Sequence, residues 1–261
     1  MVTKHDCWSN EEKCLAAVKE NGYRLRDVEN QTDEICLAAV KEKGDSFIYV
    51  IKQTDEICLA AVKRDVHALS YVLKQTDEIC LAAVKKSGNA LSYVKKQTNK
   101  ICLAAVKREG NALKYVIRQT KEICLTAVRR NGDAIKYVRN QTEEMCLLAV
   151  REVGISVQYV RKQTEEMCLL AVKTDVYALS YVRNQTDEIC LEAVKEDSDS
   201  LIYVNYQSDI IVVTAIKENE DLVEHIRNDN LSKKTLVELD MLIKRDKNRK
   251  ILNRVIEIQK I

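Results

Sequence analysis

The sequence predicts an all-α solenoid, made of ten copies of a 22-residue helix-turn-helix unit. Glutamine recurs every 22 residues, at Gln31, Gln53, Gln75, Gln97, Gln119, Gln141, Gln163, Gln185 and Gln207. A fixed period of this length indicates a repeat architecture. The copies occupy residues 9–228, and the first and last copies are degenerate. That is expected of terminal repeats, which have a neighbour on one side only.

The first half of each unit, numbered 1–22 from the glutamine, predicts a helix over positions 3–12. Position 2 is always Thr, Ser or Asn, which are N-cap residues. Positions 3 and 4 are mostly acidic and position 11 is always basic, as the helix dipole favours. The apolar run ICLAAV between them predicts a helix that is apolar nearly all round and therefore buried. An Ala-rich helix of this kind does not fit a leucine-rich repeat, whose period is similar.

The second half predicts another helix over about positions 15–21, because its apolar positions 16, 17 and 20 share one helical face. All six glycines lie at position 14, where they indicate a helix stop. Val66 and Val176 occupy this position in two copies. A β-branched residue resists positive φ, so we expect Asp65 or Asp175 to take the left-handed conformation there.

The segments that flank the repeats have separate predictions. Residues 1–8 form a lead-in. Residues 229–261 offer two amphipathic helices, at about 231–245 and 248–260. We expect them to cap the last repeat, since solenoids need a polar-faced cap. A docking or dimerising segment is the alternative.

Nine cysteines lie at position 6, and the tenth copy has Val212 there. Stacked helices about 8–10 Å apart keep equivalent residues too distant for disulfides. The pattern therefore predicts a small, buried apolar residue. Cys7, with His5 and Cys14 nearby, is three candidate ligands without a fourth, so we expect no metal.

The composition favours a folded chain without chemistry of its own. It is 46% hydrophobic and 31% charged, with a net charge of +2. No apolar run approaches the ~18 residues that span a bilayer, and the N-terminus lacks the apolar core of a signal peptide. We expect an intracellular chain with free thiols and no membrane partner. The three histidines fall at unrelated unit positions and no glycine-rich phosphate loop exists, which predicts no enzyme, cofactor or small-molecule substrate.

One stretch departs from the overall charge balance. Residues 85–139 contain 14 basic and three acidic residues, and Asn99, Lys100 and Lys121 replace acids at helix starts. A broken local rule is a candidate for function. The stretch is either a drifting solvated face or a patch for an acidic protein or for phosphates. Its basic residues are Lys85, Lys86, Lys95, Lys96, Lys100, Lys107, Arg108, Lys114, Arg118, Lys121, Arg129, Arg130, Lys136 and Arg139.

Tyrosine occupies position 19 in eight copies. Such a ladder either packs its rings at the edge of the core with the hydroxyls in water or stacks nucleic-acid bases.

The wording QTDEICLAAVK, followed by glycine and YVK, resembles the repeats of domain of unknown function family 4116. These repeats are abundant in giant viruses of amoebae. The resemblance covers about residues 9–228. It is weaker in the first and last copies, and it departs from the family pattern at Val66 and Val176. It implies an α-helical repeat protein, viral and acting in a host cell, and it implies no catalytic residue.

The sequence therefore predicts a non-enzymatic scaffold for protein–protein interaction, in the cytoplasm of a host cell. Variable positions 8, 12, 15, 18, 21 and 22 would supply the binding surface of a rigid frame. The alternatives are binding of nucleic acid or another polyanion through residues 85–139, and a structural role in the virion. Self-association is left open.

Overall fold

The computed structural model describes residues 10–227 and 231–241, and this part of the chain is helical without a strand. Each repeat contributes a ten-residue α-helix and then a six-residue 3₁₀ helix, which confirms the all-α solenoid. The α-helices are α1 Glu11–Glu20, α2 Asp33–Glu42, α3 Asp55–Arg64, α4 Asp77–Lys86, α5 Asn99–Arg108, α6 Lys121–Arg130, α7 Glu143–Glu152, α8 Glu165–Thr174, α9 Asp187–Glu196 and α10 Asp209–Glu218. The 3₁₀ helices are η1 Gly22–Asp27, η2 Gly44–Tyr49, η3 Val66–Tyr71, η4 Gly88–Tyr93, η5 Gly110–Tyr115, η6 Gly132–Tyr137, η7 Gly154–Tyr159, η8 Val176–Tyr181, η9 Ser198–Tyr203 and η10 Glu220–His225.

The repeats fall into two compact units that divide between Asn140 and Gln141. In the first unit, α1–α6 pack side by side, and each 3₁₀ helix packs on the α-helix of its own repeat. The 3₁₀ helices η1–η5 also pack on the α-helix of the next repeat. The second unit repeats this arrangement with α7–α10 and η7–η10. The predicted sandwiching of each first helix between its neighbours is thus confirmed within each unit.

The α-helices span unit positions 3–12, as the sequence predicts. In α3, Thr54 Oγ1 accepts the hydrogen bond from the Ile57 amide at 3.4 Å and caps the first turn. In the nine helices α2–α10, the side chains at positions 5, 6, 9 and 10 are at most 4% exposed. Positions 7 and 8 remain half-exposed. The expectation of burial nearly all round is therefore wrong, because these two positions point away from the neighbouring helices.

The glycines do not stop the α-helices. Each α-helix ends at position 12, position 13 is extended, and the glycine opens the 3₁₀ helix. None of the described residues has positive φ, so the predicted left-handed stop is wrong. A Cβ on Gly110 would lie 2.5 Å from the Ala127 carbonyl oxygen and 2.9 Å from the Asn131 Cβ. Glycine is used because the next repeat approaches it too closely for any side chain.

The two valine-bearing copies show the consequence of a side chain at this position. Asp65 and Asp175 are extended, with φ of −138° and −157°, so the left-handed conformation expected of them is wrong. Their carboxylates instead accept the amides of His67 and Tyr177 at 3.0 Å. η3 and η8 lie less closely against the following α-helix than most of the glycine-bearing 3₁₀ helices do.

The recurring glutamine ties successive repeats together. The Gln75 Nε2 atom donates to the Leu69 carbonyl of the preceding repeat at 3.0 Å and to the Tyr93 carbonyl of its own repeat at 2.9 Å. Its Oε1 atom accepts the Lys95 amide at 2.9 Å. Equivalent bonds recur at Gln31, Gln163 and Gln185. A side chain with both a donor and an acceptor is needed for this joint.

The second helix of each unit differs from its prediction in type and bounds. It is a 3₁₀ helix over positions 14–19, where the sequence predicts about 15–21. Position 20 is extended and mostly buried, as at Val72 and Val116. Two turns of a 3₁₀ helix bury the same face as a short α-helix would, so the pattern of apolar residues does not separate them.

Beyond the repeats, residues 233–241 are helical. The Ser232 amide donates to Asp209 Oδ1 at 2.8 Å, and this bonding to Ser232 lowers the pKa of that carboxyl group. Leu239 is buried. The capping role stays a prediction. The second expected helix, 248–260, and the 1–8 lead-in lie outside the described residues. No helix in the described part of the chain is long and apolar enough to cross a bilayer.

Candidate interaction surfaces

The 14 basic residues of the stretch 85–139 lie in the first unit, on two edges and one face. Six lie at positions 11 and 12, at the C-terminal ends of α4, α5 and α6. Another six lie at positions 21, 22, 3 and 4, which we call the loop edge. Because an α-helix rises 1.5 Å per residue, the two edges are about 12 Å apart. The remaining two, Lys114 and Lys136, lie on η5 and η6.

Several of these cations hold the fold together. Lys86 Nζ donates to the carbonyls of Lys63 and Arg64, the last turn of the preceding α-helix. In the next repeat, Arg108 Nε donates to the Lys86 carbonyl at 3.4 Å. A cation is favourable at a helix C-terminus, where carbonyls lack intrahelical partners.

A second structural set lies at position 21. Lys95 Nζ donates to the Val72 carbonyl at 3.0 Å. Arg139 donates to the carbonyls of Val116 and Ile117 at 3.3 and 2.7 Å. Arg183 and Arg227 make similar bonds in the second unit. Position 21 is thus a site where a long cation bonds the loop of the preceding repeat.

The tyrosine ladder is mostly half-buried, with Tyr71 and Tyr181 exposed. Lys114 Nζ lies 4.6 Å from the centroid of the Tyr115 ring, and Lys136 Nζ lies 5.1 Å from that of Tyr137. A hydrogen bond with Tyr115 raises the pKa of Lys114. These contacts occupy two more of the predicted patch residues.

Seven patch residues are exposed and make no hydrogen bond or ion pair that the described residues supply. They are Lys85, Lys96, Lys100, Lys107, Arg118, Arg129 and Arg130. Lys96, Lys100 and Arg118 lie on the loop edge, and the other four lie at the C-terminal edge. The structure therefore does not bring these seven into one cluster.

The nine repeat cysteines are free and buried, which confirms their packing role. From Cys36 to Cys190, the thiols donate to the Oε1 atom of the glutamine five residues earlier, at 3.5 Å from Cys102 to Gln97 and 4.0 Å from Cys58 to Gln53. Burial raises the pKa of Cys36 and Cys58 to about 11. Such thiols are poor nucleophiles and poor metal ligands at neutral pH.

No cluster of metal-ligating side chains occurs within residues 10–227 and 231–241. Cys7 and His5 lie outside the described residues.

An exposed apolar patch was not predicted from the sequence. Ile51 and Leu73, at position 21 of adjacent repeats, are 73% and 77% exposed, and Tyr71 between them is 56% exposed. Ile117 at the same unit position is also exposed. In the sequence, the only sign of this patch is that position 21 is basic in some repeats and aliphatic in others. The patch could not be predicted from that difference alone, because it depends on the carbonyl contacts of the basic residues described above.

Residues 55–98 and 99–141 each match the family model described as domain of unknown function, DUF4116. Residues 55–141 are thus similar to DUF4116 repeats. Each matched segment spans two of the 22-residue units. It therefore contains two α-helices and two 3₁₀ helices. Both segments together contain the whole basic stretch. No curated protein and no solved structure matches the chain.

Proposed function

We propose that this DUF4116-repeat protein is a non-enzymatic scaffold that binds a protein partner, and that it is a viral protein acting inside a host cell. The family resemblance supports the viral setting. The frame supports the scaffold, because the same glutamine, cysteine, alanine and valine positions make its internal contacts in successive repeats. Positions 12, 18, 21 and 22, which vary between repeats, carry mostly exposed side chains on this rigid support.

The observation that carries the proposal is the exposed apolar patch formed by Ile51 and Leu73 on the loop edge and by Tyr71 at the end of η3. Where other repeats place Lys95 or Arg139 back onto the preceding loop, these repeats expose an aliphatic side chain. An aliphatic residue at position 21 cannot make the hydrogen bonds that Lys95 and Arg139 make to the preceding loop, and its exposed side chain does not stabilise the fold in their place. Apolar and aromatic groups of this kind form the anchor residues of protein interfaces.

The test introduces arginine at position 21, where other repeats already have this residue. The double variant Ile51→Arg with Leu73→Arg places arginine where Arg139 stands in another repeat. We expect unchanged or slightly higher thermal stability, because each arginine can bond the preceding loop. A protein partner captured from host-cell lysate by the unaltered chain, after nuclease treatment, should be lost with the double variant.

The matched control is Ile117→Arg, at the same unit position two repeats farther along. It should keep the partner. Equal capture by the double variant would contradict the proposed surface, and loss of the partner on nuclease treatment would contradict protein binding.

Polyanion binding is a second candidate, favoured by the exposed Lys96, Lys100 and Arg118 on the loop edge. Changing all three to Glu should abolish binding to single-stranded nucleic acid. Binding should also weaken steeply with salt, since neutralised phosphates release counterions. Lys52→Glu with Lys74→Glu, at position 22 outside the basic stretch, is the control. An affinity independent of salt, or an equal loss in the control, would exclude this candidate.

A further inference from the structure

The outer side of the α-helices in the first unit carries an apolar row that the fold does not cover. Unit positions 4, 7, 8 and 11 share one helical face, opposite the buried positions, and we call their surface the α-face. Position 7 is leucine in every repeat of the unit and is half-exposed. The row consists of Leu15, Leu37, Leu59, Leu81, Leu103 and Leu125.

Charged rows run along both sides of the leucines. Position 4 is acidic in five of the six repeats, and position 11 is basic in all six. Both rows are exposed, and no ion pair joins them within the described part of the first unit. The rows are about 10 Å apart, from the rise of the α-helix. The acidic row is Glu12, Glu34, Glu56, Glu78 and Glu122, and the basic row is Lys19, Lys41, Lys63, Lys85, Lys107 and Arg129.

The surface between neighbouring helices can receive an apolar side chain. An open groove of about 560 Å³ runs between α1 and α2, lined by Leu15, Leu37 and Ala38 with charged residues of both rows at its ends. The apolar part of its lining therefore comes from the leucines of two neighbouring repeats and from one alanine at position 8. A leucine from another surface fits such a groove.

We propose that the α-face binds the α-face of a second copy of this chain. A two-fold axis parallel to the row of repeats turns the second copy over, so that facing α-helices run antiparallel. The acidic row of each copy then lies opposite the basic row of the other, with the two leucine rows in contact between them. A two-fold axis across the row would place acid opposite acid, which is unfavourable.

The distance between successive repeats along each row favours a second copy of the chain over a single helix as the partner of the α-face. A second copy presents the same three rows at the same repeat distance, so every repeat meets an equivalent one. A helix laid along the row repeats every 5.4 Å, out of step with repeats about 8–10 Å apart. Six helices about 15 Å long at that spacing cover roughly 700–900 Å² per copy. Stable interfaces bury about 800 Å² per partner.

One residue departs from the charge pattern and makes the proposal sharply testable. Lys100 replaces the acid at position 4 of the fifth repeat. In the proposed dimer it faces the second copy's Lys107, and the symmetry produces this repulsion twice. Lys100→Glu should therefore tighten the dimer, lowering its dissociation constant roughly three- to tenfold at low salt. The gain should shrink as salt screens the exposed pairs.

The experiment is sedimentation velocity of the full chain over a concentration series. We expect reversible dimerisation, strengthened by Lys100→Glu and weakened at least about tenfold by Leu59→Glu with Leu81→Glu, since charge in an apolar contact is costly. Ser70→Glu with Ser92→Glu, on η3 and η4, is the control and should leave the dimer unchanged. Far-UV circular dichroism checks that each variant is folded.

Row exchange tests the geometry without changing the leucines. One variant carries Glu34→Lys, Glu56→Lys and Glu78→Lys, and a second carries Lys41→Glu, Lys63→Glu and Lys85→Glu. Each alone should be monomeric, because both its rows then have one sign over the second, third and fourth repeats. An equimolar mixture should form a heterodimer, because the altered rows are of opposite sign in the two variants. A monomeric native chain, or a mixture that stays monomeric, would overturn the proposal. Because Ile51 and Leu73 lie on the loop edge, this result is independent of the partner-capture experiment.

Discussion

At the scale of single residues, the recurring side chains are those with a partner in their own or the adjoining repeat. Gln75 bonds three backbone groups from two repeats, and its Oε1 atom also accepts the Cys80 thiol. The cysteine therefore fills a small apolar space beside the joint and supplies a weak donor. Val212 fills the same space without that donor in the tenth repeat, so packing is the larger of the two contributions.

The buried thiols predict a pH dependence of stability. Burial first, and then a carboxylate three residues earlier, raises the pKa of Cys36, Cys58 and Cys190 to about 11. A thiol in the unfolded chain ionises near pH 8.5. Between these values the unfolded chain holds fewer protons than the native chain, so the free energy of unfolding falls as pH rises. The fall is at most about 1.4 kcal/mol per pH unit for each thiol.

Urea unfolding from pH 8 to pH 11 checks this expectation. The comparison is a triple variant, Cys36→Val, Cys58→Val and Cys190→Val, which copies the residue of the tenth repeat. Its stability should fall less steeply over this range. Lysines and tyrosines titrate in both proteins, so the difference reports the three thiols. Parallel curves would contradict the assignment of raised pKa values to these groups.

At the scale of the element, the joint between one 3₁₀ helix and the next α-helix depends on the absence of a side chain at position 14. Gly88 and Gly110 each face the position-9 carbonyl of the next repeat, at 2.6 and 2.5 Å from where a Cβ would lie. Alanine at position 9 lets that helix approach. The frequent glycine at position 14 and the invariant alanine at position 9 are thus two sides of one contact.

Gly110→Ala should destabilise the chain by about 1–3 kcal/mol, since overpacking displaces the neighbouring backbone. Backbone conformation is not the cause, because φ is negative at this residue. Ser198→Ala is the matched control at the same unit position, where a Cβ already exists. It should change the stability by less than about 0.5 kcal/mol. Urea unfolding compares the two, and equal effects would show that the close approach is not what selects glycine.

The helices illustrate what the sequence could predict and what it could not. The α-helix bounds follow from local signals, namely the Thr54-type cap, the acids after it and the base before the end. The role of Gly110 does not, because a left-handed turn and a close approach select the same residue. The basic stretch could be counted, but contacts 22 or 23 residues away decide that Lys95 and Arg139 bond carbonyls while Lys100 is exposed.

At the scale of the whole molecule, each of the two units is held together by contacts that recur from one repeat to the next. The contacts include the bond of the glutamine to the preceding repeat, as at Gln75, and the close approach of position 14 to the position-9 backbone, as at Gly110. Solenoid stability is therefore approximately a sum over repeats and neighbouring joints. No single repeat inside a unit is required for the others to fold.

Removing residues 97–118 tests this directly, because it joins Lys96 to Gln119 in the register of the native joint. Gln119 then takes the place of Gln97, and Gly88 faces the backbone of α6 instead of α5. We expect a folded chain whose helix content per residue is unchanged and whose free energy of unfolding is modestly lower. Removing only 97–107 deletes half a unit, so η4 would be followed by η5 without an α-helix between them. That variant should lose helix content and cooperativity in far-UV circular dichroism and urea unfolding. If both deletions were equally damaging, the joints would not be interchangeable, and the first unit would fold as one indivisible core.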